Sequence, residues 1–372
     1  MTDQDWMQIA LELAARGRAL ASPNPMVGAA VVREGEAVGS GFHTYAGVRH
    51  AEVIAFDEAG ERAHGATLYT TLEPCCHQGR TPPCTERIIA SGVKRVVVAM
   101  TDPNPVVAGR GLDQLRQAGL AVETRVLEEP AKRLNEAFAR HVRTGRPLVT
   151  LKAAMTLDGK IASANGTTAA AGWITSEVSR RFVHESLRHG HDAILSGIGT
   201  VLKDDPELTD RSGQPRRRPL LRVVLDSDLR VPLTAKVLDK PPGELLIVAG
   251  RHAPPEKRKQ LEDRGAEIIV WDAPGGRLPL PEVLDELGKR DMQSVLVEAG
   301  AGLTAALLEA KLVDKVFLFY APSILGGGSL ALLGETGFAS LEAAPRLLRF
   351  DLHRFGDDFA VEGYLADPYA AL

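Results

Sequence analysis

The stretch TLEPCCHQGRTPPC, residues 71–84, holds all three cysteines of this 372-residue chain: Cys75, Cys76 and Cys84. A bridge between the neighbours Cys75 and Cys76 would need a strained ring, and no C-x-x-C pair is present to act as a redox couple. A metal site is the stronger reading, and it needs a third ligand. GVRHAEVIAF supplies one in His50, followed two residues on by Glu52. Residues i and i+2 point apart on a regular helix, so His50 belongs at the helix entry and Glu52 in the first turn. His50, Cys75 and Cys84 make three ligands, the number that leaves a zinc ion one open position for water. The metal lowers the pKa of such a water toward about 7. Glu52 is not a ligand and is placed to shuttle that proton as general acid/base. An H-x-E element ahead of a P-C element is the signature of zinc nucleobase deaminases. The second cysteine of that signature ordinarily lies three residues on, where this chain has Gln78; Cys84, nine positions after Cys75, takes its place. Cys76 is then a bystander and His77 the weaker competing ligand. A lone His-Ala-Glu carries no information, and two of the cysteines could be core thiols. All the elements in order, each after a strand-like run, carry the metal reading.

A second constellation lies in QSVLVEAGAGLTAALLEA, which reads as strand, Gly-rich turn and helix. Gly300 and Gly302 let a ligand approach the backbone, and the free N–H groups of a helix start can hold phosphate. An ordinary βα turn explains the pattern equally well. ILGGGSLAL (324–332) is a second such turn with the same ambiguity. No G-x-G-x-x-G occurs, so a Rossmann dinucleotide site is not indicated. The run Arg216, Arg217, Arg218 reads as a solvated loop.

These residues need elements to position them. Apolar residues at helical spacing (Trp6, Ile9, Ala10, Leu13, Ala14) predict a first helix, which SPNPMVG breaks. AAVVREGEAVGSGFH predicts a hairpin. Helix and strand then alternate to residue 127, in the order β-β-α-β-α-β-α-β, and one helix is expected over 130–143. A fresh pattern starts at RPLVTLKAAMTLDGKIA and again alternates strand and helix. The fold class is therefore α/β, in two unlike domains with no internal repeat: 1–145 and 146–372. Lys+Arg number 16 against 17 Asp+Glu in residues 1–145 and 28 against 31 beyond, so neither part has the basic excess of a nucleic-acid binder. With no apolar run long enough to span a membrane, no signal-peptide pattern and an odd cysteine count, the expected setting is the reducing cytoplasm.

PNPMVG (23–28), the G-x-H at 41–43, HAE (50–52), EPCCHQGRTPPC (73–84) and TDPNPVVAGRG (101–111) together resemble the deaminase half of the bifunctional pyrimidine deaminase–reductase family of riboflavin biosynthesis. LKAAMTLDGKIA, GWITS, LKDDPELT, RVVLDS and VEAGAGL resemble its reductase half. The long gap between the zinc-binding cysteines is a trait of that family. The resemblance implies a cytidine-deaminase-like three-layer domain, with one zinc ion, followed by a dihydrofolate-reductase-like α/β domain that uses NADPH. Zinc ligation by His50, Cys75 and Cys84 and general acid/base work by Glu52 follow from it, with Asn24, His43, Arg80 and Asn104 lining the pyrimidine pocket. In the reductase half it places Ala154, Trp173, Thr200, Asp204 and Ser227 on the cofactor. Residues Gly300, Ala301, Gly302, Leu303, Thr304, Ala305 and Ala306 would hold the cofactor's phosphates. Lys152, Arg188, Leu208, Arg211 and Glu298 fall on substrate-contacting segments. One departure is GTTAAAGWIT (166–175), where a substrate-binding serine of the family aligns with Ala171.

The expected activity is hydrolytic deamination of 2,5-diamino-6-(5-phosphoribosylamino)pyrimidin-4(3H)-one, then reduction of its ribosyl chain to ribityl. Glu298, Lys152 and Asp204 are the candidates for the reductase proton donor. The partners are small molecules, without nucleic acid or membrane, and the chain is expected to form a homodimer or homotetramer. Two other readings compete: a deaminase acting on a polynucleotide, with the second half as a binding module, and a structural zinc protein with a nucleotide-sensing domain. Glu52 argues against the last, since a structural site has no use for it.

Overall fold

The first helix, α1 (Asp3–Ala15), starts where its sequence says it should. Thr2 Oγ1 accepts from the Asp5 N–H, and Asp5 Oδ2 accepts from the Thr2 N–H at 2.7 Å, a reciprocal capping box. The helix buries Trp6, Met7, Ala10, Leu11 and Ala14. In this computed structural model the described residues are 1–164, 172–239, 241, 243–334 and 337–370. They fall into two compact units, Met1–Gly145 with Pro215–Arg218, and Arg146–Gln214 with Pro219–Ala370.

In the first unit the hairpin β1 (Gly28–Arg33) and β2 (Glu36–Phe42) leads into α2 (Ala51–Ala59), β3 (Thr67–Leu72), α3 (Cys84–Ala90), β4 (Arg95–Met100), α4 (Arg110–Gln117) and β5 (Ala121–Thr124). Among the described residues five strands form its sheet, in the order β2-β1-β3-β4-β5. The strand β1 is antiparallel to both neighbours, whereas β3, β4 and β5 run parallel. Helix α2 lies unusually close to β2 because Gly39 and Gly41 have no side chain. A Cβ at Gly41 would run into the Ala51 carbonyl and come within 2.8 Å of Ile54 Cβ, and one at Gly39 would meet the Ala55 carbonyl. The first turn of α2, which carries Glu52, is thereby seated on the sheet.

The single helix expected over 130–143 is instead two, α5 (Glu128–Leu134) and α6 (Glu136–Thr144). The break is at buried Asn135, whose Oδ1 accepts from the Met26 N–H at 2.8 Å and whose Nδ2 donates to the Met26 carbonyl at 3.0 Å. A distant backbone segment thus claims the residue, a demand that local periodicity does not register.

The second unit contains β6 (Leu148–Thr156), β7 (Lys160–Ala162), α7 (Glu177–Phe182), β8 (Ala193–Gly197), α8 (Ile198–Asp204), β9 (Leu221–Leu225), β10 (Leu245–Gly250), α9 (Pro255–Asp263), β11 (Glu267–Trp271), α10 (Leu280–Lys289), β12 (Ser294–Val297), α11 (Ala301–Glu309), β13 (Lys315–Ala321), β14 (Leu330–Ala331), β15 (Arg349–Phe355) and β16 (Asp358–Tyr364). Its main sheet, nine strands among the described residues, runs β11-β10-β9-β8-β12-β6-β13-β16-β15. Strands β11 through β13 are parallel, and β16 and β15 complete it antiparallel. Both faces of the parallel part are covered, as such sheets require. Leu195, Val223 and Leu246 go to one core, while the adjacent Ile194, Val224 and Ile247 go to the other. Asp358 on β16 accepts from the Ser176 N–H (2.7 Å) and Ser179 Oγ (2.6 Å), anchoring the start of α7.

Gly41→Ala is expected to lift the first turn of α2 from β2, destabilising the first unit by about 1–3 kcal/mol. Thermal melting and bound zinc should both fall; wild-type melting and zinc content would show that the close approach is not required.

Candidate active sites

Residue His50 is the N-cap of α2, with extended backbone (φ −75°, ψ 157°), so its ring leaves the helix sideways while Glu52 points inward, only 3 % exposed. Cys75 follows β3 by way of Glu73 and Pro74, and Cys84 opens α3. His50 Nδ1 lies 3.1 Å from Cys84 Sγ and 3.5 Å from Cys75 Sγ, and the three ligand atoms all fall within 4.8 Å of one another. Two such donors on a tetrahedral zinc ion stand about 3.6 Å apart, so the triad fits the metal. Nδ1 is the metal-facing nitrogen, since Nε2 looks toward Thr81 Oγ1 at 3.5 Å. Cys76 and His77 stand outside the triad.

Electrostatics prepare the same group. A hydrogen bond from the Cys84 thiol, with help from His50 and the Cys84 N–H, brings Cys75 down to about 4 against the effect of burial. Cys84 is pushed up, first by sharing its proton with Cys75 and then by burial. Burial pushes the Glu52 carboxyl up to about 7, where it can take and return a proton near neutral pH.

Beside the triad is a cavity of about 240 Å³, the size of a pyrimidine ring more than of a whole nucleotide, lined by Asn24, His43 and Arg80 as expected. His43 Nδ1 contacts the Arg49 carbonyl at 2.9 Å and must donate to it, so Nε2 accepts from Asn24 Nδ2 at 2.9 Å. The ring is therefore neutral, in keeping with the downward pull of burial on its pKa. Arg80 stacks 4.6 Å over the Tyr45 ring. Arg216–Arg218 are half-buried rather than solvated, with Arg217 4.3 Å over the same ring. Asn104 is not in the lining. Its Oδ1 accepts from the Val106 N–H and its own N–H donates to Asp102 Oδ1, which makes it a turn residue. Asp102, passed over in the sequence, lines the cavity instead, and burial pushes its carboxyl up to about 6. The TDPNP run was the available signal. Glu73 holds this loop by accepting from the N–H groups of Asp102 (3.1 Å), Gly109 and Gly111 (2.9 Å each).

The second unit has a cavity of about 1020 Å³, more than one small ligand fills. It brings together Lys152, Arg188, Arg211 and Glu298 of the expected substrate residues. From the expected cofactor set it takes Ala154, Trp173, Thr200, Asp204, Gly300, Ala301, Gly302 and Leu303. At its centre Arg188 Nε and Nη2 donate to Glu298 Oε1 and Oε2 at 2.8 and 3.0 Å, and Lys152 Nζ stands 3.7 Å from Oε2. Burial alone would raise Glu298, but the Arg188 and Lys152 charges outweigh it and hold the carboxyl well below the usual range. Glu298 is thus a carboxylate without a proton to give, which removes it from the candidate donors.

Gly300 caps α11, and the turn is open. A Cβ at Gly302 would meet nothing within 4 Å, and one at Gly300 only Thr200 Oγ1 at 4.0 Å. Backbone N–H groups in such a bare turn fit the phosphates of a dinucleotide. Several expected residues lie elsewhere. Thr304 and Ala305 are buried inside α11, and Ala306 is on the same helix outside the lining. Leu208 is packed in the core with Ile198 and Val201, and Ser227 accepts the Gly250 N–H through its carbonyl, away from the cavity. Ala171 falls outside the described residues. The 324–332 turn is tied to Asp158, which accepts from the Leu325 and Gly326 N–H groups. His184 lines the cavity although nothing in the sequence singled it out.

Glu52→Gln is expected to keep zinc, by metal analysis, and to lower deamination by about 10²–10⁴-fold. Turnover within tenfold of wild type would exclude Glu52 from the chemistry. Cys84→Ser should lose the metal.

Residues 1–100 match the model of the cytidine and deoxycytidylate deaminase zinc-binding region, and residues 147–361 match the RibD C-terminal domain. The chain is 41 % identical to riboflavin biosynthesis protein RibD of Aquifex aeolicus, over 96 % of this chain and 97 % of that protein. It is also 41 % identical to RibD of Escherichia coli, over 96 % and 98 %. Among solved structures it resembles Acinetobacter baumannii RibD (38 % identity, TM-score 0.84, 97 % of this chain and 98 % of that one). The Thermotoga maritima diaminohydroxyphosphoribosylaminopyrimidine deaminase/5-amino-6-(5-phosphoribosylamino)uracil reductase is similar at 36 % identity and TM-score 0.82, with the same coverage. Likeness of this extent runs through both units, and the chain belongs to the RibD family of bifunctional riboflavin biosynthesis proteins, with a cytidine-deaminase-like N-terminal domain and a reductase-like C-terminal domain.

Proposed function

We propose that the chain performs two successive steps on one phosphoribosylated pyrimidine. Residues 1–145 deaminate 2,5-diamino-6-(5-phosphoribosylamino)pyrimidin-4(3H)-one hydrolytically, and residues 146–372 use NADPH to reduce the ribosyl chain to ribityl. The observation that carries this reading is the presence in one chain of a zinc-type triad beside an unligated buried Glu52 and a separate large cavity with an open glycine turn.

In the first site Asn24, His43, Arg80 and Asp102 hold the ring. A zinc ion bound by His50, Cys75 and Cys84 supplies the Lewis acidity that makes water a nucleophile near neutral pH. Glu52, buried beside the triad, is placed to take a proton from water and return it to the departing amine nitrogen. In the second site the backbone of Gly300–Leu303 holds the cofactor's phosphates, and NADPH supplies hydride. Glu298 remains ionised and holds Arg188 and Lys152 in place on the wall of the cavity. Lys152 and Asp204 are left as donors of the proton that accompanies hydride transfer.

No helix among the described residues is long and apolar enough to cross a membrane. A cytoplasmic setting is supported by three cysteines that form no disulfide. Homo-oligomerisation, as a dimer or tetramer, is supported by the edge strand β15, which leaves Phe350 60 % and Leu352 67 % exposed. The near-neutral charge balance of both parts gives a polynucleotide no electrostatic footing, and that reading is not favoured.

Ammonia release from the diamino substrate and loss of NADPH absorbance with the deaminated product test the two halves. Oxidation of NADPH no faster than in buffer would end the reductase assignment. Glu298→Gln strips Arg188 and Lys152 of their carboxylate and should abolish NADPH oxidation, with about 3–5 kcal/mol lost from the second unit. Deamination by the same preparation should stay within about twofold of wild type, a tolerance within the usual scatter of distant sites.

A further inference from the structure

His184 has no part in the chemistry above, yet it lines the reductase cavity. It sits in a π-turn, Val183–Arg188, that continues α7, and such turns recur where a helix must present side chains to a site. Its Nε2 is 3.1 Å from Arg211 Nη2. A guanidinium only donates, so Nε2 accepts, and the proton of the neutral ring is on Nδ1. That Nδ1 is buried and has no hydrogen-bond partner. The charged groups facing the ring come from four segments: Arg188 in the same turn, Arg211 in the loop before β9, Lys152 on β6, and Glu298 after β12. Burial first, then Arg188 and Arg211, bring the imidazole down to about 4, with Glu298 opposing, so the ring is neutral at ordinary pH.

Of the four arginines that line the cavity, Arg188 and Arg211, the two beside His184, are therefore treated differently. The charge of Arg188 is met by a bidentate carboxylate. Arg211, exposed, is hydrogen-bonded to an acceptor that carries no charge, and no carboxylate among the described residues pairs with it. A carboxylate at position 184 would aim the guanidinium equally well but cancel it. A neutral imidazole fixes its direction and leaves its charge available to an incoming anion, and a fork-shaped guanidinium matches the oxygens of a phosphate monoester.

We propose that His184 is a positioning residue of the reductase: as a neutral acceptor it aims Arg211, charge unspent, at the phosphate of the phosphoribosyl substrate. This rests on the reductase reading above. His184→Leu is expected to raise KM for the deaminated substrate, and the inhibition constant of ribose 5-phosphate as competitor, by about tenfold. In the same variant kcat should stay within about twofold, and inhibition by unphosphorylated ribose should not change. His184→Gln, which keeps a neutral acceptor, should recover most of the loss. The proposal is overturned if kcat falls at unchanged KM, if ribose and ribose 5-phosphate weaken alike, or if Gln is no better than Leu. It is also overturned if both variants lose NADPH binding, since the role is then structural; unaltered deamination by each preparation shows that the rest of the chain is intact. A wild-type chain that reduces no substrate overturns the reductase reading itself, and this proposal with it.

Discussion

Removing a carboxylate from water is costly unless cations or hydrogen bonds replace the solvent, and each unit of this chain is organised around one such group. Glu52 is buried, with only His50 opposing the effect of burial through its charge, and its carboxyl rises to about 7. Glu298 is nearly as enclosed, its side chain 15 % exposed, but Arg188 and Lys152 accompany it and keep it ionised. The same side chain thus becomes a proton carrier in one unit and a fixed anion in the other. The surroundings assign the role, and the rest of each site follows from it. In the proposed function the first serves as a proton carrier beside the metal triad, and the second as a fixed anion that holds the cations of the larger cavity in place.

Each arrangement places a demand on the elements beneath it. Glu52 can be enclosed only because α2 lies close on β2, which Gly39 and Gly41 permit by lacking side chains. The pocket opposite is held by another buried carboxylate, Glu73, which is satisfied by backbone N–H groups of the Asp102–Gly111 loop. In the second unit the parallel sheet delivers Lys152 and Glu298 to one cavity from the adjacent strands β6 and β12. Asp358 ties the start of α7 to β16, and the π-turn beyond carries Arg188 and His184 to the same place. Function here depends on where strand ends and helix starts converge, as is usual for open α/β sheets.

The metal site was legible from residue type and spacing because zinc restricts both. Few side chains bind it, and His50, Cys75 and Cys84 fall at the starts of elements that periodicity also identifies. The wider pockets were legible only in part. Asn24, His43 and Arg80 reach the first cavity, whereas Asn104 spends its amide oxygen on a local turn and Asp102 faces the cavity instead. Leu208 lies within a matching segment but is a core residue, and Ser227 turns away from the cavity. A segment can match while the side chain that points inward differs by one or two positions, because rotation about the backbone is not encoded in a motif.

Residue pattern alone was sufficient for the α/β alternation, the two unlike domains and the trio His50, Cys75 and Cys84 that the fold gathers, since each rests on local periodicity or on chemistry with few alternatives. Packing alone decided the rest. The split of α5 from α6 depends on Met26, more than a hundred residues from Asn135. The ionised state of Glu298 depends on Arg188, 110 residues away, and the pairing of His184 with Arg211 spans 27. Burial and charge pairing act through space, and only the folded chain brings those partners within reach.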